Sequence, residues 1–160
     1  MITFKKNIVM SSEVGKINKF LLFKLPSAFF CGVRAKKIND AQCVVAVKYR
    51  WINQNPFKSI YFAVLAMAAE LSTGALVMRK IEKSGKRISM LVANSKASFT
   101  KKATGRILFK CNDGHLIDSA IERALQTGEG QTFWMKSVGT NQNGVDVAEM
   151  DFEWSIKIKS

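Results

Sequence analysis

The chain has 160 residues, 48% hydrophobic and 23% charged, which supplies one buried core and excludes a disordered chain. A balance of 25 Lys and Arg against 12 Asp and Glu gives +13, which points to anionic partners: nucleic acid, a membrane surface or a phosphorylated small molecule. The three cysteines, Cys31, Cys43 and Cys111, are far apart and fit buried thiols in a reducing compartment, excluding a disulfide frame and a zinc site built on them.

The first residues, MITFKKNIVMSSEVGK, lack the apolar run and small-residue cleavage site of a signal peptide, and none is expected. Ser11 and Ser12 are expected to cap a helix through Ile17, Phe20, Leu21 and Phe23 to Leu25, ended by Pro26. With Lys16, Lys19 and Lys24 it can lie on a membrane or pack on its own domain. From Ala28 the period becomes two. CGVRAKKIND and AQCVVAVKYRWI read as strands joined at Asn39-Asp40, with Cys43, Val45, Val47, Tyr49 and Trp51 on one face.

Asn55-Pro56 then opens a long apolar helix that closes near Ser84-Gly85. From Ser59 to Met78 its single ionisable acid is Glu70, and it holds no basic residue. KRISMLVANSKASFT is a strand, and TGRILFKC another with Ile107, Phe109 and Cys111 inward. HLIDSAIERALQ places Leu116, Ile117, Ala120, Ile121, Ala124 and Leu125 at helical spacing. QTFWMKSVGT and VDVAEMDFEWSIKIK form a hairpin about Asn143-Gly144. Met150, Phe152, Trp154, Ile156 and Ile158 alternate with polar residues, whereas Val145 and Val147 have the opposite parity, so a bulge is expected near Ala148.

The long helix has the length of a membrane span. Glu70 would then sit near the bilayer centre, and the flanking strands, which pair with one another, would fall on opposite sides of it. A core helix wrapped by an antiparallel sheet of about five or six strands avoids both conflicts, giving one α+β domain.

Glu70 shares a helix face with Ala63, Ala66, Met67, Thr73, Gly74 and Val77. A carboxylate on that mostly small face, held in an apolar cavity, has a raised proton affinity suited to general-base work. The alternative is a Glu paired with a neighbouring Arg or Lys. At the helix start, free N–H groups near Ser59, Ile60, Tyr61, Phe62 and Ala63 favour an anion or oxyanion, and Asn55 either caps the helix or orients a ligand.

This layout resembles the hotdog fold, in which a sheet wraps one long helix. Asn55, Tyr61-Phe62-Ala63 and Glu70 stand at the spacing of the Asn, His-Gly-Gly and Asp/Glu of phenylacetyl-CoA-type acyl-CoA thioesterases. The N-P-F-x-S-I-Y-F-A and A-A-E-L-x-T-G wording is similar to an uncharacterised branch of that superfamily. The resemblance covers residues 28–160, with 1–27 as an accessory helix. It implies a homodimer or homotetramer, with the acid of one subunit facing the helix start of another. It also implies Glu70 as base or nucleophile, Asn55 positioning water or carbonyl, and the Phe62 or Ala63 N–H holding an oxyanion. Tyr61 and Thr73 join the substrate-binding set. The substrate would be an acyl-CoA in the cytoplasm, with basic residues at the pocket mouth on the CoA phosphates and no further cofactor. The sequence departs from the family in having Tyr61-Phe62-Ala63 where His-Gly-Gly stands. Phe62 there obstructs close approach to the backbone or shapes a different acyl pocket, so a non-catalytic acyl-CoA or fatty-acyl binder is the alternative.

His115 is the only histidine, and a device with Cys111 is less expected than a structural role. No phosphate loop or metal-ligand cluster is legible. KYRW, Lys48 to Trp51, interleaves aromatic and basic residues as a base-stacking sheet does, which keeps a nucleic-acid module as a further alternative.

Overall fold

The structure, a computed structural model, describes residues 2–159 and the side chains of 12–159. Helix α1 spans Ile2–Lys24. It starts well before the expected cap, so Ser12 lies within the helix; the side chain of Ser11 is outside the described residues. Leu21 is fully buried, and Val14 and Ile17 pack against the same core. Asn18 exchanges two hydrogen bonds with the Ala35 backbone, at 3.1 and 2.9 Å. This stripe of α1 therefore packs on its own chain. Pro26 ends the helix and opens a short one, α2 (Pro26–Phe30), where its fixed φ and missing N–H cost nothing.

Strands β1 (Arg34–Ile38) and β2 (Cys43–Lys48) form the expected hairpin. The Asn39 side-chain oxygen accepts the Ala41 and Gln42 N–H groups, both at 2.9 Å, and so shapes the turn. Cys43, Val45 and Val47 point inward, but the face does not continue to Trp51 as expected. A 3-10 turn, Trp51–Asn53, swings Trp51 out to 83% exposure. Buried Asn53 locks that turn. Its amide donates to the Cys31 and Lys48 carbonyls, both at 2.9 Å, and its oxygen accepts the Arg50 N–H at 2.8 Å.

The central helix, α3, spans Phe62–Ser84, starting later than Asn55-Pro56 suggested. After a turn at 56–59, neighbours hold the chain out of the helix: Ile60 N–H donates to the Ala103 carbonyl at 2.9 Å, and Tyr61 N–H to that of Asn53 at 2.8 Å. Gly85, at φ 64°, ends α3 in the left-handed conformation that glycine adopts without a Cβ clash.

Strands β3 (Ile88–Phe99), β4 (Arg106–Cys111), β5 (Gln131–Thr140) and β6 (Asp146–Ile158) complete one antiparallel sheet, ordered β1-β2-β4-β5-β6-β3. Its inner face, including Ile107, Phe109, Met135, Met150, Phe152 and Trp154, closes on Leu65, Ala68, Leu71 and Leu76 of α3. At the expected bulge, Gly139 pairs with Ala148 and Thr140 with Asp146, leaving Val147 as the extra residue, and both Val147 and Ala148 are buried. Helix α4 (Gly114–Thr127) seats Ile117, Ala120, Ile121 and Ala124 in the core, but Leu125 is 46% exposed. Helix α3 is the one helix among the described residues long and apolar enough to cross a membrane, and most of it is buried in the fold.

Candidate active site

Glu70 lies midway along the side of α3 that the sheet leaves open. Ala63, Ala66, Met67 and Glu70 are half-buried, while Leu65, Ala68 and Leu71 are sealed against the sheet. Gly74, one turn on, makes room for the carboxyl group. A Cβ there would meet Glu70 Oε1 at 2.9 Å and the Trp154 ring at 3.0 Å. The carboxyl group thus rests over bare helix backbone beside an indole. None of the ion pairs among the described residues includes Glu70. Burial pushes its pKa up to about 6, because the charged form loses hydration.

Thr73 stands elsewhere than expected for a substrate contact. It is fully buried; its hydroxyl donates to the Glu70 carbonyl at 2.9 Å and accepts the Trp154 indole N–H at 3.0 Å. Both hydrogen-bonding roles are taken, so Thr73 supports the turn beneath Glu70. Gly74 and Val77, which share its face, are likewise buried.

The α3 N-terminus forms a second centre. The first helical hydrogen bond runs from Val64 N–H to the Tyr61 carbonyl at 2.9 Å, and no side chain caps the helix. The N–H groups of Phe62 and Ala63 precede that bond and lack a helical acceptor, which suits them to an oxyanion. Asn55 does not cap α3. Its amide donates to Ser59 Oγ at 3.0 Å, and its oxygen accepts the N–H groups of Phe57 at 3.0 Å and Ser59 at 3.2 Å. It folds the 55–59 loop into one wall of a cleft of about 540 Å³. Phe57, Tyr61, Phe62 and Phe99 line that cleft with Leu65, and Lys101 and Lys102 reach it from the end of β3. The Phe62 ring stands edge-on to those of Tyr61 and Phe99, with centroids at 4.9 and 6.3 Å. Ala63 lies toward Glu70 and is not among the cleft walls.

Phe57, Phe99, Lys101, Lys102 and the Trp154 floor were not singled out as site residues from the sequence. The β3 residues lie some 40 positions from Tyr61, and only the sheet brings them to the helix start. Within one copy, the two centres remain apart: Phe62 and Glu70 are eight positions apart, about 12 Å along the helix at 1.5 Å per residue.

The other sequence candidates do not assemble. His115 is exposed at the start of α4 while Cys111 is fully buried with its thiol pKa pushed up to about 12 by burial, so they form no nucleophile-base pair. Among the described residues no cluster of His, Cys, Asp or Glu could hold a metal. Trp51 has left the strand that would have aligned it with Tyr49 for base stacking.

Among solved structures, a protein from Pseudomonas aeruginosa named a probable thioesterase superposes with a TM-score of 0.77 at 20% identity, over 91% of this chain and 96% of its own. A protein of unknown function from Chlorobaculum tepidum gives 0.80 at 15% identity, over 91% and 94%. A variant of a hypothetical thioesterase protein from Streptococcus pneumoniae gives 0.60 at 17%, over 81% and 93%. No curated protein matches the sequence. These likenesses establish the fold, a hotdog in which an antiparallel sheet wraps one long helix. The model of a family described as a domain of unknown function, DUF4442, matches residues 16–156, and the chain belongs to that family.

Proposed function

We propose that this chain hydrolyses acyl thioesters as a homodimer or a tetramer built from such dimers. The observation that carries the reading is Glu70, a half-buried carboxylate with no ion-pair partner among the described residues, on a helix whose start carries free N–H groups. Because these lie about 12 Å apart in one copy, the site requires two copies, Glu70 of one facing the helix start of the other. Strand β3 supports such pairing. It is a sheet edge of 12 residues with one charged side chain, Lys96, and it is largely exposed from Leu91 to Phe99. A long edge with so little charge is a template for another strand.

In the proposed reaction Glu70 takes a proton from water as the oxygen adds to the thioester carbonyl carbon. The Phe62 and Ala63 N–H groups hold the oxyanion. As the carbonyl reforms, the carbon–sulfur bond breaks and the leaving thiolate recovers the proton from Glu70. Asn55 keeps the loop wall in place, and Phe57, Tyr61, Phe62 and Phe99 accept the acyl chain. Lys101 and Lys102 at the cleft suit the phosphates of coenzyme A in the cytoplasm. The test is a panel of short, long and aryl acyl-CoAs with wild type and Glu70→Ala. Turnover by wild type, lost by roughly a hundredfold or more in the variant, is expected for a lost general base. No turnover of any substrate, or an unchanged rate in Glu70→Ala, overturns the reading.

One observation favours a binding protein without catalysis. Phe62 is 56% exposed and packs against Phe99 where the thioesterase pattern has bare glycine. On that reading, acyl-CoA raises the thermal midpoint but is recovered intact.

A further inference from the structure

The aromatic side chains around the 3-10 turn form a surface that the proposed reaction does not use. Trp51 is 83% exposed, Ile52 52% and Phe30 62%. Asn53 ties their segments together, donating to the carbonyl of Cys31, the residue after Phe30. Phe23, in the last turn of α1 two residues before Leu25, the residue that leads into α2, is 76% exposed. Phe57, 71% exposed, stands at the loop that follows the 3-10 turn and also lines the cleft. Single exposed apolar side chains are ordinary, but several large ones in one patch mark an interaction surface.

The stretch of chain that carries them is one-sided in charge. Between Glu13 and Glu70 the chain carries nine basic residues and a single acid, Asp40. That acid is already paired with Arg79 and Lys83. Lys24, Arg50 and Lys58 are exposed next to the aromatics in sequence, and the Arg50 guanidinium lies 3.8 Å from where a Gly32 side chain would begin. Lys58 is also the one non-glycine residue at positive φ, 57°, among the described residues, which turns the loop just after Phe57.

We infer that this end of the molecule docks on an anionic lipid membrane as a peripheral protein. The aromatics Phe23, Phe30, Trp51 and Phe57 enter the headgroup boundary, and Lys24, Arg50 and Lys58 pair with lipid phosphates. Charge complementarity selects the membrane: a second copy would bring the same cations against one another. Because Phe57 belongs to both patch and cleft, docking turns the cleft toward the bilayer, where long-chain amphipathic substrates reside. The inference does not depend on turnover.

The test is co-sedimentation of the full chain with phosphatidylcholine vesicles, with and without about a third phosphatidylglycerol. Binding to the anionic vesicles alone is expected, weakening as salt rises above about 0.1 M, with quenching of tryptophan emission by brominated lipid. Phe30→Ser with Trp51→Ser should weaken binding roughly tenfold or more without shifting the thermal midpoint, since both rings are exposed. Lys24→Gln with Arg50→Gln should remove the preference for anionic lipid. Should the double serine variant fail to fold, Trp51→Ser alone must lose the quenching that wild type shows. No binding to anionic vesicles, or binding that neither variant set reduces, overturns the inference. So does a change of oligomeric state in Trp51→Ser with vesicle binding intact, or salt-sensitive oligonucleotide binding in its place.

Discussion

Replacing Glu70 by Gln tests the site through stability as well as rate. Burial raises the carboxyl pKa from 4.5 to about 6, so folding favours the protonated form. The sign follows: stability linked to this group is fully present below pH 4.5 and is lost as pH rises through 6. At about 1.4 kcal/mol per pH unit, wild type loses about 2 kcal/mol over that window. Glutamine keeps the shape without the charge. At pH 4 the two proteins should therefore be nearly equally stable, and above pH 7 Glu70→Gln should be more stable by about 2 kcal/mol, or roughly 4–8 °C for a domain of this size. Urea unfolding of both proteins in a pH series measures the difference, in which other titrating groups cancel. Hydrolysis should meanwhile be lost at every pH, and the wild-type rate should rise with pH through about 6 as the base ionises. A stability difference that does not vary with pH, or a less stable variant at pH 8, would refute the claim that Glu70 is buried without a partner.

Three further outcomes follow from the geometry. Gly74→Ala should push the Glu70 carboxyl off its seat toward water, because the new Cβ would lie 2.9 Å from Oε1; NMR titration should find the pKa falling from about 6 toward 4.5, and an unchanged value contradicts the seat. Gly139→Ala would place a Cβ 2.5 Å from the buried Phe109 ring, and it should destabilise the fold by about 1–3 kcal/mol in urea unfolding, with no loss meaning that the ring is free to shift. Leu91→Lys, on the exposed edge of β3, should yield a monomer by light scattering and abolish turnover, whereas a persisting dimer places the interface elsewhere.

The elements were legible because their signals are local. Alternation marked Ile107, Phe109 and Cys111 and the inward residues of β6, and the change of parity at Val147 located the bulge. The helix start was misplaced because Asn55-Pro56 is a helix-opening signal only when the chain beyond it is free. Here Ile60 and Tyr61 donate instead to Ala103 and Asn53. Trp51 was misassigned for the same kind of reason, since Asn53 reaches back to Cys31 and ends the strand.

From the sequence alone came a single α+β domain, a central helix bearing one acid, and the spacing of Asn55, Tyr61 and Glu70 that resembles a thioesterase. Periodicity and spacing along one helix carry that information without reference to the rest of the chain. Tertiary structure decided the chemistry. It desolvated Glu70, placed bare backbone at Gly74 and the Trp154 indole against it, buried Thr73 beneath it and used Asn55 to hold a loop. Desolvation, pairing and close approach depend on what distant strands bring to a residue, and β3, β5 and β6 reach α3 only once the sheet has closed.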